Sequence, residues 1–227
     1  MNHKPCLLAL AACALTIADH PSRADDLDGM YVGANFGRAR NTYGTGFIDS
    51  QLSSEATAAG DTLTLTRKST NRLADFWSAD AGYLFTPYVG VEAAFLHLGE
   101  IKYIVLGSVT NSGSTESLTS TTDVTSHGPA LSLLLRLPVA EAFEADLRLG
   151  DYFGKTTFGS NLIVGGNSQF TAHSKGGSSV LADVGAAYTL AAHYSFRVDY
   201  LRVQNAGDSS TGKFSVNVLA AGVSYTF

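Results

Sequence analysis

Six stretches of this chain alternate, residue by residue, between an apolar set that carries most of the bulk and a set that is small, polar or charged. In residues 75–85, DFWSADAGYLF, Trp77, Ala79, Ala81, Tyr83 and Phe85 share one face of a strand, while Phe76, Ser78, Asp80, Gly82 and Leu84 share the other. The division recurs where Leu131, Leu133, Leu135 and Leu137 face away from Ser132, Leu134 and Arg136, and where Phe143, Ala145, Leu147 and Leu149 face away from Glu144, Asp146 and Arg148. It recurs again with Val180, Val184 and Tyr188 against Asp183 and Gly185, with Phe196, Val198 and Tyr200 against Arg197 and Asp199, and with Leu219, Ala221, Val223, Tyr225 and Phe227 against Ala220, Gly222, Ser224 and Thr226. A period of two specifies strands, and so much of it specifies an all-β protein.

The second face decides what kind of sheet this is. A sandwich in water turns one face to solvent, and that face is rich in Lys, Glu and Thr with few glycines and alanines. Here it holds single charges of both signs among Gly, Ala and Ser, which suits a narrow lumen where Asp80, Arg136, Glu144, Asp146, Arg148, Asp183, Arg197 and Asp199 pair with one another. The first face is apolar through its middle and aromatic toward its ends, as a lipid-facing band with aromatic girdles requires. Charged residues make up only 15% of the chain, against the roughly 25% of ordinary soluble domains.

Strands are expected over about 29–40, 70–85, 88–104, 122–137, 142–158, 175–190, 193–205 and 213–227. Their connections alternate short and long. The long ones, 41–69, 105–121 and 159–174, with a smaller one at 206–212, are dominated by Ser, Thr, Gly and Asn, a composition not expected to build a core of its own. Lipid offers no partner to a strand edge, so such a sheet must close on itself. The expected fold is therefore an eight-stranded antiparallel up-and-down transmembrane β-barrel with short periplasmic turns and long extracellular loops, its interior filled by side chains. A soluble lipocalin-like barrel is the alternative fold.

The first residues read as an export signal. Lys4 supplies a basic n-region, residues 6–18 an apolar run, and Ser22-Arg23-Ala24 a cleavage site, giving a signal peptide over 1–24 and a barrel domain over 25–227. Leu10-Ala11-Ala12-Cys13 also fits a lipobox, with Cys13 as the lipidated residue. Cys6 and Cys13 are the chain's two cysteines, so the body holds no disulfide or thiolate site. The net charge of −5 argues against nucleic acid as a partner.

Several motifs resemble the transmembrane domain of the OmpA family. GMYVGANFGRARNTYGTGFID (29–49) is similar to the family's opening strand and first loop, with its Thr45-Gly46-Phe47-Ile48 run, and AGYLFTPYVGVEAAF (81–95) to its first periplasmic turn. ADLRLG (145–150), FRVDY (196–200) with NAGD following, and LAAGVSYTF (219–227) match in order and spacing. The resemblance implies an outer-membrane location and adds Glu92 to the lumenal charges. In that family lumenal ion pairs gate a small conductance; Glu92 and Arg197 match two of the positions directly. Leu134 takes the family's Lys position, with Arg136 two residues on, and Ala187 its second Glu position, with Asp183 four residues earlier. The family's peptidoglycan-binding domain has no counterpart in this sequence. Val223, Tyr225 and Phe227 resemble the C-terminal signal read by the outer-membrane assembly machinery.

Other candidates are weaker. Arg202-Val203-Gln204-Asn205-Ala206-Gly207 resembles a lipid A deacylase motif, but Arg202 and Gln204 stand where that family has its base and nucleophile, so no enzyme is expected. His3, His20, His97, His127, His173 and His193 show no ligand spacing, and no metal or cofactor is expected; His97 fits the outer interfacial belt. Gly33, Gly37 and Gly82 read as room for lumenal bulk. Arg38, Arg40, Arg67, Lys68 and Arg72 either meet lipopolysaccharide phosphates or are solvated loop charges. Two functions follow. One is a structural and surface-interaction barrel whose partners are outer-membrane lipid, lipopolysaccharide and a host or phage surface ligand; the other is a narrow ion-conducting pore governed by Glu92, Arg136, Asp183 and Arg197.

Overall fold

The computed structural model of the chain describes residues 29–42, 45–207 and 213–227. The signal segment over 1–24, with both cysteines, lies outside the described residues. The elements run β1 (Met30–Asn41), α1 (Thr45–Ala58), β2 (Thr62–Asn71), β3 (Leu73–Thr86), β4 (Val89–Asn111), β5 (Ser114–Ala140), β6 (Phe143–Val164), β7 (Asn167–Ala191), β8 (Tyr194–Ala206) and β9 (Phe214–Thr226).

Eight of the strands form a ring. From β3 onward each pairs antiparallel with the next, β1 pairs with β3, and β9 returns to β1 from Tyr31↔Thr226 to Asn41↔Val216. No edge of the ring is left open, which is the condition for a sheet in lipid. β2 stands outside it, paired with the far half of β4 from Thr62↔Thr110 to Asn71↔Lys102. The turns at 87–88, 141–142 and 192–193 occupy one end. In the first of them Thr86 Oγ1 accepts hydrogen bonds from the N–H groups of Tyr88 (3.2 Å) and Val89 (3.1 Å).

The ring's outer wall is the apolar set. Phe36 is 68% exposed, Leu131 57% and Leu219 61%, and comparable side chains project from every strand of the ring. A belt of that extent cannot face water. Near the short turns it ends in rings: Tyr225 packs edge-on against Tyr194 at 5.1 Å and Phe227 at 5.0 Å. At the opposite edge Trp77 stacks on His97 at 5.8 Å and lies 5.7 Å from Phe95.

The connections beyond that edge differ from expectation. Segments 105–121 and 159–174 are not irregular loops; β4 and β5 continue in register to Asn111↔Ser114, and β6 and β7 to Val164↔Asn167. Both hairpins close with two residues at positive φ, Ser112-Gly113 and Gly165-Gly166, the geometry whose twist matches that of the flanking strands. The segment 41–69 holds α1 and all but the last two residues of β2. These pieces do build core: Tyr103, Val105, Val124 and Phe158 are buried with Leu52 of α1. The inward set on β4 changes parity at Gly99, a bulge at φ +79° between His97 and Glu100, so that Ile101, Tyr103 and Val105 turn inside after Leu96 and Leu98.

The interior is layered. Charged side chains fill it toward the short turns. Above them Phe76, Leu96, Ala130, Leu181, Leu201 and Val218 form an apolar layer that continues into the hairpins.

Candidate functional site

The charged layer is organised around Arg148 of β6, which projects inward and is 2% exposed. Its Nε donates to Glu92 Oε2 (3.1 Å), its Nη2 to Asp146 Oδ2 (3.1 Å), and its Nη1 to Asp183 Oδ1 (3.2 Å) and Asp199 Oδ1 (3.1 Å). One guanidinium therefore ties together side chains from β4, β6, β7 and β8. Arg197 lies beside it, donating from Nη1 to Asp80 Oδ2 (3.1 Å) and from Nε and Nη2 to Asp199 Oδ2 (3.3 and 3.2 Å). Arg136, nearer the short turns, holds Asp146 Oδ1 (3.1 Å) and Glu144 Oε2 (3.2 Å) through Nε.

All nine charges named from the sequence meet in this layer. Their partition differs from the four-residue pore set: Arg148 bonds Glu92 and Asp183, Arg197 lies 3.6 Å from Glu92 and shares Asp199 with Arg148, and Arg136 reaches Arg148 by way of Asp146. Planar guanidiniums suit the task because each presents five donors in a fixed fork, and a buried carboxylate left without a donor would be costly.

Two members came to light only with the structure. Tyr31 donates its hydroxyl to Glu92 Oε2 at 2.7 Å and lies under the Arg136 guanidinium at 5.9 Å. Asn35 Nδ2 donates to Ser78 Oγ (3.0 Å) and Asp80 Oδ1 (2.9 Å). Both sit on the inward face of β1, where the spacing Tyr31, Gly33, Asn35 and Gly37 is the available signal. The glycines make the space: a Cβ at Gly33 would overlap the Asp80 carboxylate and one at Gly82 the Tyr31 ring. Gly82→Val should therefore displace Tyr31 and break its bond to Glu92. The expected loss is about 1–3 kcal/mol, read as a lower urea midpoint for the refolded protein; an unchanged midpoint would show that the ring has other room.

Little space remains inside. A cavity of about 30 Å³ lies where the charges meet the apolar layer, bordered by Ser78, Asp80, Glu92, Ser132, Arg148 and Asp183 among others. That is room for about two waters.

The remaining candidates are dispersed. His97 stacks between Trp77 and His127 on the outer wall, and His193 Nδ1 is 2.8 Å from the Thr226 carbonyl at a short turn. Among the described residues no group of three or more His, Cys, Asp or Glu is placed to hold a metal. Arg202 and Gln204 are exposed on the outer wall. Arg38 is paired with Asp75 at 2.6 Å and Lys68 with Asp49 at 2.6 Å, so the basic cluster read from the sequence divides between β1 and β2. Val223, Tyr225 and Phe227 lie on the outward side of the closing strand, and the Phe227 N–H donates to the Met30 carbonyl at 3.0 Å.

A closed ring of eight strands with a lipid-facing belt and a filled lumen defines a transmembrane β-barrel. The OmpA-like transmembrane domain matches residues 25–227, and the chain belongs to that family, an outer-membrane protein of the Gram-negative type. Outer membrane protein A of Serratia marcescens is 31% identical over 148 residues, which are 64% of this chain and 37% of that protein. The chain thus spans little more than a third of that relative's length. Among solved structures, Ail of Yersinia pestis in complex with the heparin analogue sucrose octasulfate is similar with a TM-score of 0.48 at 12% identity, over 88% of this chain and 99% of that one. OprG of Pseudomonas aeruginosa is similar with a TM-score of 0.48 at 14% identity, over 88% and 96%.

Proposed function

We propose that the protein is a structural and surface-interaction barrel, anchored in the outer membrane and acting through the hairpins that rise beyond it. The observation that carries this reading is the filled interior. Arg148 and its four carboxylates span the lumen, and the apolar layer above them offers an ion neither water nor charge. The hairpins, by contrast, present extended surface: residues 167–178 of β7 are exposed on both faces. No catalytic constellation enters this reading.

Planar-bilayer recording tests it. The refolded chain is expected to be electrically silent. A steady conductance in the wild type that Arg197→Ala alters would sink the proposal in favour of a gated pore. A second measurement addresses the surface. Cutting the β6–β7 hairpin back to the Ser160↔Thr171 pair should leave the barrel folded while removing attachment of expressing cells to host extracellular matrix; attachment unchanged by the cut would remove that hairpin from the reading.

A further inference from the structure

The lipid-facing wall carries two charges of opposite sign that its own sheet leaves unpaired. Asp151 of β6 is exposed on the outward face, and its cross-strand neighbours are Leu131 and Val180, 57% and 58% exposed to lipid. Arg202 of β8 points outward between the buried Leu201 and Val203, opposite Ala182. Neither has an ion-pair partner among the described residues. Arg38 shows the alternative on the same wall: it lies directly opposite Asp75 and is paired with it.

Asp151 and Arg202 stand at one depth. Asp151 is eight residues from Phe143, the first of β6, and Arg202 eight from Tyr194, the first of β8, both counted from the short-turn end. The register agrees. The row through Asp151 meets β8 at Gln204, two residues above Arg202, and a strand tilt of about 40° lifts a row by roughly 6 Å across two strands, about the height of two residues. At about 3.3 Å per residue along strands so tilted, both charges lie roughly 20 Å above the short turns, inside an apolar band about 25 Å tall. Phe153, the next outward residue beyond Asp151, is still 50% exposed on that wall.

Lipid accepts apolar side chains as readily as another protein does, so an apolar wall alone selects no neighbour. A carboxylate at this depth does select one, because hydrocarbon offers it neither water nor a counter-charge. Within one copy the Cα atoms of Asp151 and Arg202 are roughly 12 Å apart on strands that diverge around the ring, with β7 between them. The outer face of β7 interleaves Ala182 and Ala186 with Val180 and Val184, a low surface that admits a close neighbour. A two-fold axis along the membrane normal in front of β7 preserves height and exchanges left with right, so β6 of one copy faces β8 of the other. Each unpaired charge then meets its opposite.

We propose that the β6–β8 wall is a self-association surface on which a second copy of the chain docks about such an axis. Asp151 of each copy pairs with Arg202 of the other, and the two β7 strands cross between the pairs. This surface lies in the membrane and is independent of whatever the hairpins bind.

Sedimentation equilibrium of the full chain refolded in density-matched detergent micelles tests the proposal. The wild type should show a reversible monomer–dimer equilibrium; a monomer at every concentration would overturn the surface without recourse to any variant. Asp151→Arg and Arg202→Asp, each alone, should weaken the dimer at least about tenfold. An equimolar mixture of the two should restore it, since every facing pair is again opposite in sign, and a mixture no tighter than either variant would overturn the two-fold arrangement. Asp151→Asn should also weaken the dimer while the heat-modifiable folded fraction stays at least as large as in the wild type; unchanged association would overturn the role of the carboxylate. Arg40→Gln on β1 should leave association intact, and a loss equal to that of the Asp151 variants would overturn the choice of face.

Discussion

Arg148→Ala is expected to destabilise the barrel by about 3–5 kcal/mol, the range for removing one partner from a buried ion pair. The reason is what remains. Glu92, Asp146, Asp183 and Asp199 each lose a donor, and four carboxylates converge on an empty space in a lumen too tight for bulk water. Urea titration of the refolded protein in detergent reads the loss as a shift in midpoint at constant slope. Arg148→Lys should fall between the two, because a point charge keeps the neutralisation but cannot address carboxylates on four strands with a planar fork. The contrast is Arg38→Ala: its pair with Asp75 is as short as any ion pair among the described residues, yet the two side chains are 69% and 87% exposed, and removing it should cost less than about 1 kcal/mol. If Arg148→Ala and Arg38→Ala proved equally mild, the lumenal network would be ornamental to stability.

That network was legible in the sequence as a set but not as a circuit. Period two puts every charge but Glu92, which the family resemblance adds, on the inward face, because a one-residue error would turn Trp77, Phe85 and Tyr188 into the lumen. Which charges touch depends on the stagger between strands, and no local pattern encodes that. The family correspondence centres the pore on Glu92, Arg136, Asp183 and Arg197, and Arg148, one of the lumenal charges that alternation identifies, stands outside that set although it bonds both Glu92 and Asp183. Tyr31 and Asn35 are illegible for a related reason: the β1 glycines beside them signal space, but the side chains that fill it, Asp80 at Gly33 and the partners of Tyr31 and Asn35, come from strands across the lumen.

The hairpins escaped because the physical signal changes at the membrane edge. Within the lipid band one face must be apolar, so alternation is strong. Beyond it both outward and turn-proximal positions meet water, and Ser, Thr and Gly become as acceptable as Leu. The surviving clues were the inward residues Tyr103, Val105, Val124 and Phe158, displaced by one position on β4 at the Gly99 bulge, and the turn pairs Ser112-Gly113 and Gly165-Gly166. With those in place the barrel is deeper than its membrane span. In its upper half α1, β4, β5 and β6 share a packed core, while residues 167–178 of β7 are exposed on both faces, so only part of that sheet is covered as in a water-soluble protein.

Phe227→Asp should separate folding from delivery. In the folded barrel Phe227 is 67% exposed, touching Tyr225 edge-on, while its N–H is held by the Met30 carbonyl whatever the side chain. A charge at the interfacial level of a barrel wall costs about 0–1 kcal/mol, so refolding into detergent should be close to that of the wild type. Insertion in cells should fall severely if Val223, Tyr225 and Phe227 are read by the assembly machinery as an aromatic and alternating apolar signal, because the substitution removes the terminal ring from an otherwise unchanged strand. The two yields are compared directly, as the heat-modifiable fraction on unboiled gels after refolding and as the protein recovered in the outer membrane of expressing cells. Parallel losses in both would assign Phe227 to the girdle alone. A loss confined to the cell would mean that β9, the strand that closes the ring onto β1, also carries the address that brings it there.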